Sequence, residues 1–273
     1  MNDGRNRPGP EWLSEFAGTA ILLFVMVSLF RVLNGADSPV AQAVTSGEGR
    51  LAIAAVVSGV TVGLLVASPL GRRSGGHLNP AVSLAFWLLR ALPGRDAMAY
   101  AAAQLAGSAV GVAAGRLLWG EPAGTSAVGF ATVRAADGVP WAVVFAVEAA
   151  ATAVMLGAVI FVAARPRPVL PVSVVAGVAV AGLILLVGQG AGGSFNPARQ
   201  FGPELFSGDF TWLGVYLTAP LVGAIGFALV RRRIRTAPPL PCPLCERYSC
   251  HVRAVRRAAG KAVAASRGVS RDA

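Results

Sequence analysis

Charge is what this 273-residue chain has least of. Only 14% of its residues are Asp, Glu, Lys or Arg, while 55% are apolar. An ordinary soluble domain carries about 25% charged residues, so a water-soluble globule is the wrong starting point. Acid is scarcer still, with 13 Asp and Glu against 24 Lys and Arg and a net charge of +11. Cysteine is absent from residues 1–241, so no disulfide framework ties the apolar body together.

What the chain does have is long uncharged runs. Residues 13–30 contain only Glu15, residues 51–70 contain no charge, and residues 141–164 contain only Glu148. Residues 97–114, 169–193 and 212–230 complete six candidates. Each approaches or exceeds the roughly 20 residues that a helix needs to cross a bilayer, and helices satisfy their own backbone polar groups there. The N-terminus leads directly into the first run without a small-residue cleavage pattern, so no cleavable signal peptide is expected.

The basic residues alternate with these runs. If both termini lie inside, the inner segments hold Arg5, Arg7, Arg72, Arg73, Arg90, Arg95, Arg165, Arg167 and the eleven basic residues from Arg231 onward, 19 of the 24. Only Arg31, Arg50, Arg116, Arg134 and Arg199 fall outside. This positive-inside bias predicts a multi-pass protein of the cell membrane with both ends cytoplasmic. It also accounts for the charge without nucleic acid as a partner.

Six spans divide into two halves, about residues 11–118 and 140–232, joined by a linker over residues 121–139. Glu15-Phe-Ala-Gly-Thr19 in the first run is echoed by Glu148-Ala-Ala-Ala-Thr152 in the fourth, and Asn-Pro-Ala follows both the second and the fifth. Three spans per repeat is odd, so the second copy must be inverted in the membrane, and such repeats share a site at the midplane. Gly107, Gly111 and Gly115 form a small-residue face for close helix packing.

The two Asn-Pro-Ala boxes carry the chemistry. Asn is a strong helix N-cap, and Pro suits the first helical position, where its missing N–H costs nothing. Asn79-Pro80 therefore starts a helix whose apolar body runs to Leu89, and Asn196-Pro197 starts one that runs to about Phe206. At about 1.5 Å per residue each reaches only halfway across a bilayer. Inversion brings one in from each side, with the N-termini facing each other. Each N-terminus carries roughly half a positive elementary charge, so their junction disfavours cations and protons but admits a neutral molecule. The Asn79 and Asn196 amides are expected to be held by backbone while their NH₂ groups face a lumen.

"SGGHLNPAV" and "NPARQFGP", with Glu15 and Glu148 at matching repeat positions, resemble the aquaporin, or major intrinsic protein, superfamily. The resemblance covers about residues 11–232, leaving 1–10 and the tail 233–273 outside it. It implies an all-α membrane protein of six transmembrane helices and two re-entrant half-helices in an inverted repeat. It also implies a passive, cofactor-free, non-enzymatic channel for water or small uncharged solutes, embedded in lipid as a homotetramer with one pore per subunit. Asn79, Pro80, Ala81, Asn196, Pro197 and Ala198 would form the pore motifs. Glu15 and Glu148 would hold the backbone of the pore loops, with His77 as a buried structural histidine.

The family narrows its pore a second time with four residues. By resemblance these fall on Gly59 (or Ser58 if the register slips by one), Ile184, Gly193 and Arg199. Water-selective members resemble a Phe, His, small residue and Arg set, so the absence of Phe and His here implies a wider constriction, open to glycerol, urea or undissociated metalloid acids such as arsenite. Gln200 points the other way, because glycerol facilitators of the family carry Asp there. With "YLTAP" at residues 216–220, the filter set looks more like the wide, nodulin-like branch.

The tail changes character at Arg231. It contains Cys242, Cys245 and Cys250, with His251 adjacent, four soft or borderline ligands suited to Zn²⁺ or a trivalent metalloid, in a spacing that matches no strong motif. A plain flexible tail is the competing expectation. The basic stretch from Arg253 to Lys261 suits an anionic inner leaflet. Two rivals to the channel stand at this point: a proton-coupled secondary transporter of another inverted-repeat class using Glu15 or Glu148, and a membrane-anchored metal sensor built on the tail.

Overall fold

The computed structural model describes residues 9–165 and 171–234. Among these residues there are six helices long and apolar enough to cross a membrane: α1 (Gly9–Asn34), α3 (Gly47–Ala67), α6 (Gly94–Trp119), α7 (Trp141–Ala163), α8 (Val172–Ala191) and α10 (Leu213–Arg233). Two short helices, α2 (Pro39–Ala43) and α4 (Pro69–Ser74), lie between them, and two half-length helices, α5 (Pro80–Leu88) and α9 (Pro197–Ser207), follow the Asn-Pro-Ala boxes. The tail ligands Cys242, Cys245, Cys250 and His251 lie outside the described residues.

Both half-helices start for the reason their sequence suggests. Asn79 and Asn196 are extended N-caps whose side-chain oxygens accept from the N–H groups of Ala81 and Ala198, with Pro at the first helical position. The half-helix α5 has nine residues, about 14 Å of rise against a hydrocarbon core of about 30 Å. It stops at Leu89, after which Arg90 takes a left-handed φ of 61°.

Packing repeats with the sequence. α1 lies against α6 as α7 lies against α10, and α6 lies against α9 as α10 lies against α5. A Cβ built on Gly107 or Gly111 would strike the carbonyl of Phe16 or Ala20, and one on Gly115 would strike Val27, so this face does bring α6 onto α1. Gly223 plays the same part in the second half, against the Ala149 carbonyl of α7. With little hydrophobic drive between helices in lipid, such close backbone approach is where packing stabilises a bundle.

The two repeats join where α3 crosses α8. A Cβ on Gly59 would strike the Gly177 carbonyl, and one on Gly177 would strike the Gly59 carbonyl. Each glycine lets the other helix in. The linker expected over residues 121–139 is not slack either. It carries two short 3-10 turns, Glu121–Gly124 and Gly129–Ala131, and its later part is tied to α9 by bonds described below.

Candidate functional site

Two loops, residues 75–79 and 192–196, descend into the bundle and meet. Each is held by one buried carboxylate on a spanning helix. The two oxygens of Glu15 accept from the backbone N–H of His77 at 3.0 Å and of Leu78 at 2.6 Å. Those of Glu148 accept from Ser194 at 2.8 Å and Phe195 at 2.7 Å. A buried amide left unpaired costs about 1–3 kcal/mol, so these carboxylates give each loop a path that it could not keep in lipid. Leu78 and Phe195 have left-handed φ values of 51° and 52°, conformations that stand only because the surroundings enforce them. Tyr100 and Tyr216 complete the match, donating to the carbonyls of Ser74 and Ala191.

At the tips the loops cross-link. The Asn79 amide donates to the Phe195 carbonyl and the Asn196 amide donates to the Leu78 carbonyl, both at 2.8 Å. The sequence reading expected both NH₂ groups to face a lumen. Instead one N–H of each pair staples the opposite loop, and only the second remains for anything beyond. The N-termini of α5 and α9 are fixed together by this pair of bonds.

A cavity of about 490 Å³ runs past the junction. It is lined by the loop residues Gly75 to Leu78 and Gly193 to Phe195 together with Asn79, Asn196 and Arg199. Apolar residues line it as well, in helical stripes four residues apart: Val62 and Val66 on α3, and Ala176, Val180 and Ile184 on α8. Val82, Phe86 and Met155 add to them. A passage lined by both polar and apolar groups suits a solute that carries hydroxyls on a carbon frame.

Of the two second-span candidates, Gly59 and Ser58, only Ser58 lines the cavity. Gly59 faces α8 rather than the cavity, and the lining residue on that turn is Ser58. Helical spacing explains the slip. Ser58, Val62 and Val66 share one stripe, whereas Gly59 and Gly63 share the next, which packs on Gly177 and Ser173. The Ser58 hydroxyl lies 3.3 Å from the Met26 sulfur. Ile184, Gly193 and Arg199 do line the cavity. Gly193 is left-handed, at φ 78°, and a Cβ there would lie 3.6 Å from the Ile184 Cα, so the missing side chain leaves room beside Ile184. The Arg199 guanidinium donates to the Ala131 carbonyl at 2.6 Å, and its carbon sits 5.5 Å from the Phe30 ring centre.

His77 is buried, with its Nδ1 3.1 Å from the Ser83 hydroxyl and its ring against Phe86 and Tyr100. Gln104, which sequence reasoning passed over, bonds both Glu15 and Ser83 and so ties α6 to the first loop. Ser108 was also missed. Its hydroxyl donates to the Ala198 carbonyl and accepts from the Gly202 N–H, fastening α9 to α6. No local pattern marks either residue. Only its fully buried place in a lipid-spanning helix does. Among the described residues no group of three or more His, Cys, Asp or Glu is arranged to hold a metal.

The family model described as Major intrinsic protein matches residues 9–231, and the chain belongs to that family. It is a multi-pass membrane protein and a passive channel for water and small uncharged solutes, not an enzyme. Its relatives include the probable aquaporin AqpM of Archaeoglobus fulgidus, 31% identical over 79% of this chain and 92% of that protein. Aquaporin NIP1-3 of Oryza sativa subsp. japonica is 34% identical over 85% of this chain and 79% of its own. The propanediol uptake facilitator PduF of Citrobacter freundii is 29% identical over 90% and 98%. Among solved structures, the aquaglyceroporin from Plasmodium falciparum matches with a TM-score of 0.68 over 84% of this chain and 98% of that one, at 20% identity, a likeness of fold.

Proposed function

We propose that the chain is a wide-filter channel that passes glycerol-sized neutral solutes, neutral metalloid acids among them, as well as water. The observation that carries this reading is the cavity wall at the constriction. Ser58, Ile184 and Gly193 line the same cavity as Arg199, and none of them has the bulk or ring donor of Phe or His. Arg199 keeps N–H donors beyond the one on Ala131 for a solute oxygen, and repels cations. Ile184 offers carbon to carbon. The similarity to a propanediol facilitator supports the same solute class. Asn79 and Asn196 serve as the central donors, Glu15 and Glu148 as loop supports, and residues 11–232 as the channel unit. Homotetramers with a pore in each subunit follow from family membership.

Stopped-flow shrinkage of proteoliposomes tests the solute class. Wild-type vesicles pass glycerol and arsenite above background, and Ser58→Phe with Ile184→His lowers that flux while sparing water. Gly59→Phe serves as the contrast, because its side chain enters the α3–α8 crossing and lowers the yield of folded protein instead. Rapid water flux with only background glycerol, urea and arsenite flux in the wild type refutes the wide-filter reading.

Both termini are cytoplasmic in this proposal, supported by the basic residues around the inner loops. With the tail cysteines changed to serine, single cysteines at Ser126 and Arg233 react with impermeant reagents from opposite faces, the second from the cytoplasm. Reaction of both from one face overturns the orientation.

A further inference from the structure

One residue beyond the filter arginine, α9 does something the filter itself does not require. The Gln200 side chain is fully buried and grips the loop before α7 at two points, accepting from the Val133 N–H at 3.2 Å and donating to the Val133 carbonyl at 2.8 Å. Its second amide hydrogen goes to Glu204, one turn along the same helix, at 2.6 Å. That bond decides which way the amide faces. Turned over, Gln200 would set its oxygen against the Glu204 carboxylate and its NH₂ against the Val133 N–H. Glu204 is itself fully buried, and its other oxygen has no hydrogen-bond partner among the described residues.

The segment gripped in this way touches the constriction twice. Ala131, which accepts from Arg199, lies two residues before Val133 and has a left-handed φ of 65° that aims the backbone. Val133 rests on Gly192, where a built Cβ would strike its Cγ1, and Gly192 precedes the constriction residue Gly193. The chain of contacts runs from Glu204 through Gln200 to Val133, and from there to both Arg199 and Gly193.

We propose that Gln200 and Glu204 are positioning residues for selectivity, holding residues 131–133 as a strap over the outer side of the constriction and thereby fixing its aperture. The inference rests on the filter assignment proposed above. Without the strap, the Ala131 carbonyl moves, Arg199 is held less closely, and larger polyols enter.

The test compares water, glycerol and the four-carbon polyol erythritol in proteoliposomes of wild type, Gln200→Ala, Glu204→Leu and Glu204→Gln. Glu204→Leu, which loses one hydrogen bond, raises the erythritol-to-glycerol ratio by roughly three- to tenfold, and Gln200→Ala, which loses three, raises it by at least as much. Glu204→Gln keeps an acceptor toward Gln200 and puts its NH₂ where the carboxylate has no partner, so it preserves the wild-type ratio. Should the larger changes fail to insert, Glu204→Asp shortens the arm and moves the ratio the same way by less. Equal scaling of all three fluxes in Gln200→Ala and Glu204→Leu, or a Glu204→Gln ratio shifted as far as that of Glu204→Leu, overturns the proposal. If wild type passes no glycerol, the wide-filter reading fails. The strap then still predicts new glycerol flux in Gln200→Ala, and its absence refutes the strap as well.

Discussion

Changing Glu148 to Gln alters a single atom of the second loop's support. Both oxygens of Glu148 accept from buried backbone N–H groups, those of Ser194 and Phe195. A carboxamide accepts at one of these positions and turns an N–H toward the other. One charge-assisted bond disappears and one buried amide is left unpaired. The two are one event, worth about 1.5–3 kcal/mol for a bond to a charged acceptor. Protein stabilities are typically about 5–15 kcal/mol, so this loss is large enough to release the loop locally without unfolding the bundle. Glu15→Gln loses as much: its remaining oxygen keeps Leu78 and Gln104, but its NH₂ turns toward the His77 N–H, which loses its acceptor.

Glycerol and water flux per unit of reconstituted protein, together with the melting temperature in detergent, measure the loss. Glu148→Gln and Glu15→Gln both fall to about a tenth of wild-type flux or below, since each 1.4 kcal/mol is tenfold in a population. Wild-type flux and melting in either variant refute its support role. A protonophore separates this from proton coupling. Uptake that collapses with the proton gradient in wild type but is insensitive to it in both variants assigns the carboxylates to transport.

The midplane gives a second prediction. Asn79→Asp or Asn196→Asp sets a carboxylate oxygen against the carbonyl of Phe195 or Leu78, where an N–H now donates, and cancels the positive field of two helix N-termini. Solute flux falls or cation conductance appears in planar-bilayer recordings. Unchanged flux with unchanged cation exclusion in both variants counts against the pore assignment.

Much of this protein was legible in one dimension because lipid imposes strong rules. A spanning helix must be long, apolar and uncharged, and six such runs became α1, α3, α6, α7, α8 and α10. A capping Asn followed by Pro can only begin a helix in such a setting, and both half-helices start there. A carboxylate alone in an apolar run must find buried donors; the internal repeat set Glu15 and Glu148 at matching positions, and the family resemblance implied that they hold the pore loops. The side-chain roles that depend on rotation and on distant partners were decided only in three dimensions. One residue along a helix is a turn of about 100°, which is all that separates Ser58 at the cavity from Gly59 at the α3–α8 crossing. The Gln200 strap joins residues 67 positions apart, and the Asn79–Phe195 and Asn196–Leu78 bonds join residues 116 and 118 apart. Such pairs leave no periodicity in a single sequence. They exist because the inverted repeat folds two polar loops into a medium with no water to satisfy them, and each must take its hydrogen bonds from the other side of the molecule.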